Sequence, residues 1–289
     1  MNIQTVVKAA LAGAALFFST AHAADISELK TGGPYVPTPQ SVVDAMLRMA
    51  AVTEKDYLID LGSGDGVIVL TAARQFKASG MGVDIDPDLV KQSNASAQKQ
   101  GVAARVKFVQ EDVFKTDISK ASVLTLYLLP GMMLNLRTKI FNELKPGTRI
   151  VSHDYHFGEW SPDDSISFDV PEKESVTGVP KANVLLWLAP AKVAGTWEIK
   201  TGGETYQVVM KQRFQTLEGT TAVAGKPAKL QNSTLRGVDI SFVLQEAKGL
   251  ARFTGRVNGE TMEGTVEAPG KSQERWAATR VSAGKVAID

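Results

Sequence analysis

Apolar positions recur with two different periods along this chain, and the change of period divides it. From about Pro39 to Pro190, stretches of helical period alternate with short apolar runs. Val42, Val43, Met46, Leu47 and Met49 or Ala50 fall mostly on one face of a helix that the spacing predicts over Pro39 to Val52, with proline near its start. Strand-like Tyr57 to Leu61, a helix from about Gly64 to Phe76, strand-like Met81 to Ile85 and a helix opened by Pro87 follow. Val106 to Val109, Val123 to Leu128 and Arg149 to Ser152 extend the strands, and Met132 to Leu144 is a further helical run. Such alternation needs crossover connections and predicts an α/β fold with a mainly parallel sheet. Ile166 to Val170 and Val184 to Leu188 have no clear helix between them, only the turn-rich Pro171 to Pro180, and predict an antiparallel pair closing the sheet.

After Ala191 the period shortens to that of strands. Thr196 to Lys200, Thr205 to Lys211, Phe214 to Leu217, Asp239 to Leu244, Ala251 to Val257, Thr261 to Val266 and Arg275 to Arg280 alternate apolar with polar residues, separated by turn pairs such as Gly202-Gly203 and Asn258-Gly259. An all-β, barrel-like module over 191–289 is expected. At the other end, Lys8, the apolar Ala9 to Phe18 and Ala21-His22-Ala23 stand in the order of a secretory signal. The apolar stretch is about half of the roughly 20 residues that cross a bilayer. Cleavage after Ala23 is expected, giving an exported, periplasmic or secreted protein whose first domain occupies 24–190.

Composition narrows the chemistry. The chain is 44% apolar and 22% charged, an ordinary globular balance, and its net charge of +1 advertises no polyanion partner, so nucleic acid is disfavoured. It has no cysteine, which excludes thiolate zinc sites, catalytic thiols and disulfides.

The strongest local signal is Asp60-Leu61-Gly62-Ser63-Gly64-Asp65-Gly66, where the first strand should hand over to a helix. Glycines at alternate positions remove the Cβ atoms that would keep a ligand from the backbone. The sixth position counted from Gly62 is Val67, so the dinucleotide fingerprint is incomplete, and no lysine follows Gly66 to make a nucleoside triphosphate loop. Asp84 ends the second strand, where an acid can accept hydrogen bonds from two ribose hydroxyls; Asp86, directly before Pro87, is the better helix cap. Asp112 follows the third strand, where a base could sit across the strand ends.

In these residues the chain resembles the class I S-adenosylmethionine-dependent methyltransferases. Asp60 to Gly66 is similar to their first motif, Asp84 to their ribose acid and Glu111-Asp112-Val113 to their adenine-side motif. The resemblance spans roughly Tyr35 to Pro190. It implies a Rossmann-like seven-stranded sheet with the last strand antiparallel, and S-adenosyl-L-methionine held by Asp60, Gly62, Ser63, Gly64, Gly66, Asp84, Asp112 and Val113. Pro34-Tyr35-Val36-Pro37-Thr38-Pro39 and Tyr127-Leu128-Leu129-Pro130 resemble more narrowly the small protein-lysine methyltransferases. That likeness implies a protein lysine as acceptor, Tyr127 orienting the amine, Pro130 fixing the loop, and Tyr35 and Thr38 closing over the cofactor. Tyr127 equally suits an apolar core, and Tyr35 and Thr38 equally suit packing and capping. The export signal and the β module depart from that group.

His153-Asp154-Tyr155-His156 offers metal-ligand types, but on a strand its imidazoles would point to opposite faces, and lining an acceptor pocket or a plain loop suits it better. Gly195-Thr196-Trp197 and the late Arg280 resemble lipocalin-like barrels, in which the guanidinium covers the tryptophan; a small β-sandwich or open barrel fits as well. Two rival functions stand beside protein methylation: an exported, non-catalytic nucleoside-binding protein whose β module engages a partner, and a small-molecule or lipid methyltransferase using that module as carrier. A membrane-associated or cell-envelope target fits the export signal.

Overall fold

The computed structural model describes residues 33, 35–223, 226–246 and 249–288. The export signal read at residues 1–23, the start of the first domain at 24–32 and Pro34 lie outside the described residues. The first sheet comprises β1 (Tyr57–Leu61), β2 (Ser79–Asp84), β3 (Val106–Gln110), β4 (Val123–Leu126), β5 (Arg149–His153), β6 (Asp164–Asp169) and β7 (Lys181–Leu188), in the order β3-β2-β1-β4-β5-β7-β6. β1 to β5 run parallel, and β7 lies antiparallel between β5 and β6. The chain order reverses between β1 and β4, so their carboxyl ends flank a crevice, the place where open α/β sheets hold ligands.

Helices cover both faces because alternate strand residues are apolar on both. On one face α1 (Gln40–Met49) and α2 (Val67–Phe76) bury Val42, Met46, Leu47, Val69 and Ala73 with Leu58, Val123, Val151 and Val184. On the other, α4 (Pro130–Glu143) buries Met133, Leu136 and Ile140 with Ile59, Leu124, Leu126 and Ile150. α3 (Pro87–Lys99) begins at Asp86, whose side chain accepts from the backbone N–H groups of Asp88 and Leu89. That capping role is the one its place before proline predicts.

Two local expectations are corrected. α2 starts at Val67 rather than Gly64, because Gly64 and Gly66 have φ of +53° and +79°, outside helical space. The segment read as helix-free contains a short helix, α5 (Pro171–Thr177), with proline at its first position, Glu172 and Glu174 in its first turn and left-handed Gly178 after it. Those start and stop signals lie so close together that they read as turns.

The second sheet has nine antiparallel strands among the described residues, ordered β11-β10-β9-β8-β16-β15-β14-β13-β12. They are β8 (Gly195–Thr201), β9 (Glu204–Arg213), β10 (Thr216–Val223), β11 (Lys226–Lys229), β12 (Gln231–Arg236), β13 (Asp239–Glu246), β14 (Gly249–Asn258), β15 (Thr261–Glu267) and β16 (Glu274–Ala283). The two edge strands are consecutive through Leu230, whose N–H donates to the Gly219 carbonyl at 2.8 Å, nearly closing a barrel. Its interior is filled by Trp197, Ile199, Phe242, Phe253, Trp276 and aliphatic neighbours. The Arg280 guanidinium lies 4.4 Å from the Trp197 ring centroid and donates to the Ala194 carbonyl. β11 and β12 escape the sequence pattern because they carry too few apolar residues.

The alternation places Phe214 within a strand; it instead forms the turn between β9 and β10, with φ of +49°, and is buried. It is buried because it leaves the barrel altogether. Its ring stacks on Trp160 at 5.5 Å and meets Phe141 edge-on at 5.9 Å, in a cluster completed by Phe157 and Trp187. Around this plug, Gln215 donates to the Ser161 carbonyl, Lys192 to Asn142, and the backbone N–H of Ala191 to the Gly237 carbonyl; Arg213 pairs with Glu159. Truncation of Phe214 to Ala should therefore destabilise the whole protein by about 3–5 kcal/mol, the usual range for a buried phenylalanine, read as a lowered denaturation midpoint.

Candidate active site

The site is built where β1 ends. The backbone N–H groups of Gly62 and Ser63 donate to the Val83 carbonyl at 2.8 and 2.9 Å, turning the loop toward β2. Asp84, at the end of β2, accepts from the Gly64 N–H at 2.8 Å through one carboxylate oxygen and from the Asp86 N–H at 3.0 Å through the other. Strand register thus sets Asp84 against the loop. A methyl group on Gly64 would lie 2.4 Å from Cε2 of Tyr35, so the tyrosine ring closes over the bare backbone, and Leu128 covers Gly62 in the same way. Thr38, half-buried, lies between Tyr35 and α1, and the helix start at Pro39 carries no side-chain cap.

Asp60 is buried at 2% exposure and accepts a hydrogen bond from the Thr125 hydroxyl at 2.7 Å, across the pair that joins β1 to β4. Its carboxyl is pushed up to about 7, first by burial and then by the charges of Asp84 and Asp65, against the lowering effect of the Thr125 bond. Burial and Asp65 also hold the Tyr35 hydroxyl well above the ordinary phenol range. The buried Ser63 hydroxyl has no partner. The crevice therefore gathers three carboxylates, Asp60, Asp65 and Asp84, around a glycine loop covered by Tyr35 and Leu128, an arrangement that favours a cationic guest.

Asp112 and Val113 follow β3 at the same edge of the sheet. Asp112 is half-buried, accepts from the Phe114 N–H at 2.9 Å and lies 3.5 Å from the Lys115 ammonium, while Val113 is buried in the core with Leu61, Val83 and Leu126. Tyr127 stands on the other side of the crevice. It lies two residues beyond Thr125, which pairs with Asp60, so Tyr127, Thr125 and Asp60 share one face of the sheet. Its ring stacks on His153 with centroids 4.0 Å apart and on Tyr155 at 6.1 Å, and burial, with help from Asp154, pushes its hydroxyl up to about 12. Pro130 is exposed and occupies the first position of α4, where its fixed φ sets the start of the helix.

His153 and His156 are engaged separately. His153 is fully buried, its ring Nε2 3.2 Å from the Lys173 ammonium, and burial holds its pKa down to about 4. His156 is exposed and accepts from the Gly158 N–H at 2.9 Å. No cluster of metal-ligand side chains is present among the described residues. Lys173 is the residue that sequence reasoning missed: it sits between two glutamates in the segment read as turn, and no pattern marks it as buried.

Comparison with known proteins gives the family. The family model of the ANTKMT methyltransferase domain matches residues 60–164. A protein-lysine N-methyltransferase of Saccharolobus islandicus is 42% identical over 137 residues, which are 47% of this chain and 85% of that protein. The chain belongs to the S-adenosylmethionine-dependent methyltransferases. A human lysine N-methyltransferase named for the ATP synthase is 34% identical over 131 residues, 45% of this chain and 55% of the relative. A solved structure from Salinibacter ruber, described as an RNA methyltransferase in complex with S-adenosyl-L-homocysteine, shares 47% identity with a TM-score of 0.50, covering 55% of this chain and 96% of that one.

The methyltransferase fits its cofactor on its own residues. S-adenosylmethionine brings an ammonium and a sulfonium beside its one carboxylate, and Asp60, Asp65 and Asp84 are the residues whose charge would meet those two cations. Because a bound cation favours ionised Asp60, binding below pH 7 must first remove its proton. Cofactor affinity measured by calorimetry should thus be flat above about pH 7.5 and fall toward tenfold per pH unit below about 6.5. Asp60→Asn should flatten that profile and lower affinity about 10–100-fold, the loss of one charge-assisted contact.

Proposed function

We propose that this enzyme methylates a lysine side chain of a protein. The observation that carries the reading is the placement of Tyr127 on the sheet face of Asp60, stacked against His153 and Tyr155. When bound, S-adenosylmethionine supplies a methyl group already activated by positive sulfur. The chain's own task is then to align a nucleophile and keep it desolvated. A lysine amine, with a reference pKa of about 10.4, must arrive without its proton. Tyr127 and His153 are both uncharged near neutral pH, one pushed up to about 12 and the other down to about 4. An amine brought against the Tyr127 ring meets neutral groups, which disfavour the ammonium form and favour the free amine that the Tyr127 hydroxyl can orient. The names of the Saccharolobus islandicus and human relatives support lysine as the acceptor.

The same proposal places the protein outside the cytoplasm, periplasmic or secreted, on the order of charge, apolar run and Ala21-His22-Ala23 at its N-terminus. Its acceptor is then a cell-envelope protein, membrane-associated or free. The barrel engages that partner, or a small ligand, by its outer surface, since aromatic side chains fill its interior. This packing speaks against the module as an internal lipid carrier.

Incubation of a cell-envelope extract with enzyme and methyl-labelled cofactor should place the label in methyl-lysine after acid hydrolysis. Label in RNA or lipid instead would overturn the acceptor. Tyr127→Phe should lower kcat about 10–100-fold, the worth of one strong orienting hydrogen bond, with cofactor affinity within about twofold of wild type. Undiminished turnover would reduce Tyr127 to a packing residue.

A further inference from the structure

Lys173 is a buried cation outside the residues so far given a role, only 3% exposed, on the first turn of α5. An ammonium carries three protons and accepts none. Its three polar neighbours are Asp154 Oδ2 at 2.5 Å, the Lys181 carbonyl at 2.8 Å and His153 Nε2 at 3.2 Å. The third proton then points at Nε2 of His153, which accepts it; Asp154 Oδ2, at 3.4 Å from the same nitrogen, is farther and already taken by the ammonium. The imidazole proton is therefore on Nδ1, a buried position without a partner. Asp154 is itself fixed, in left-handed backbone with φ of +64°, its second oxygen accepting from the Asn183 N–H at 2.9 Å. α5 and β7 thus converge on the Lys173–Asp154 pair that abuts the His153 imidazole, and Tyr127 rests on that ring.

We propose that Lys173 is a positioning residue for methyl transfer: its ammonium clamps His153 in the Nδ1–H tautomer and so sets the plane against which Tyr127 is held. The inference rests on the assignment of Tyr127 to the acceptor side. A lysine kept for stability alone would be a poor choice, because a buried ion pair is often replaceable by apolar residues of similar volume without loss. What an apolar residue cannot do is choose between the two nitrogens of an imidazole. The groups that face His153 are Lys173 from α5, Asp154 beside it and the ring of Tyr127, which in turn stacks on Tyr155. Burial keeps the imidazole neutral, Lys173 assists and Asp154 opposes. Removing only the ammonium leaves Asp154 acting alone, so the His153 pKa rises toward neutrality.

The test uses the full chain and two variants, Lys173→Met and the charge-balanced pair Lys173→Met with Asp154→Asn, the second guarding against misfolding from an unpaired carboxylate. Long-range nitrogen NMR should report His153 as Nδ1–H in the wild type and as a tautomer mixture in the double variant. Turnover should drop at least about tenfold while cofactor affinity stays within about twofold, and Lys173→Met alone should add an acid limb to the pH profile closer to neutrality. An Nε2–H wild type, a retained Nδ1–H in the double variant, unchanged turnover, or cofactor affinity lost in parallel each overturns the proposal. The tautomer readout needs no acceptor, so failure of the lysine reading is seen separately, as label in another acceptor class, on which turnover is then measured.

Discussion

A carboxylate buried without a cation is the constraint around which the first domain is arranged. Asp60 is held by the β1–β4 pairing, where Thr125 gives it one hydrogen bond, yet Asp65 and Asp84 crowd more negative charge around the same loop. A fold selected for stability alone would place an apolar residue or a salt bridge there. The loop glycines extend the same logic, since Gly64 and Gly66 use left-handed backbone and leave room that Tyr35 and Phe108 reach into. A cation bound there would relieve the repulsion and couple binding to local stability at this strand end.

The second domain is tied to the chemistry by the chain between β5 and β6. At one end of that segment Tyr155 stacks on Tyr127; at the other Trp160 stacks on Phe214 of the barrel. The two contacts are joined through one buried cluster that holds Phe157, Trp160, Trp187 and Phe214 and against which Tyr155 also packs. A connection that would otherwise be an exposed loop becomes part of a packed core, and its Tyr155 end gains rigidity from the barrel. This gives an appended module a physical route of influence over an active site it does not line.

Much of this is legible in the sequence, for identifiable reasons. The parallel sheet follows from period changes that recur with each βα unit, and Asp60, Gly64 and Asp84 announce themselves because a glycine loop at a strand end has few other uses. Phe214 and Lys173 do not. An aromatic residue at a hairpin turn reads as a strand residue when the surface that receives it comes from another domain, and a lysine between two glutamates reads as a solvated face. In both cases the deciding partner is remote in sequence, Trp160 for one and His153 for the other. β11 and β12 stay hidden for a simpler reason, that their pairing is set by closure of the barrel and not by apolar alternation.

The sheet face that carries Asp60 and Tyr127 therefore holds two electrostatic regimes side by side. At β1 and β2 the charge is negative and uncompensated, which suits a ligand bearing positive charge. At β4 and β5 the buried charges cancel, Lys173 against Asp154, and the rings that border them stay neutral. An alkyl amine moving from water into the second zone has no carboxylate of its own to pair with, because Asp154 is already occupied by Lys173 and by the Asn183 N–H. Were Asp154 free, it would bind the ammonium tightly and hold the nucleophile in its unreactive form. By occupying that carboxylate from within, the chain's own lysine leaves the Tyr127 side of the sheet without uncompensated buried charge, the opposite of the loop that follows β1.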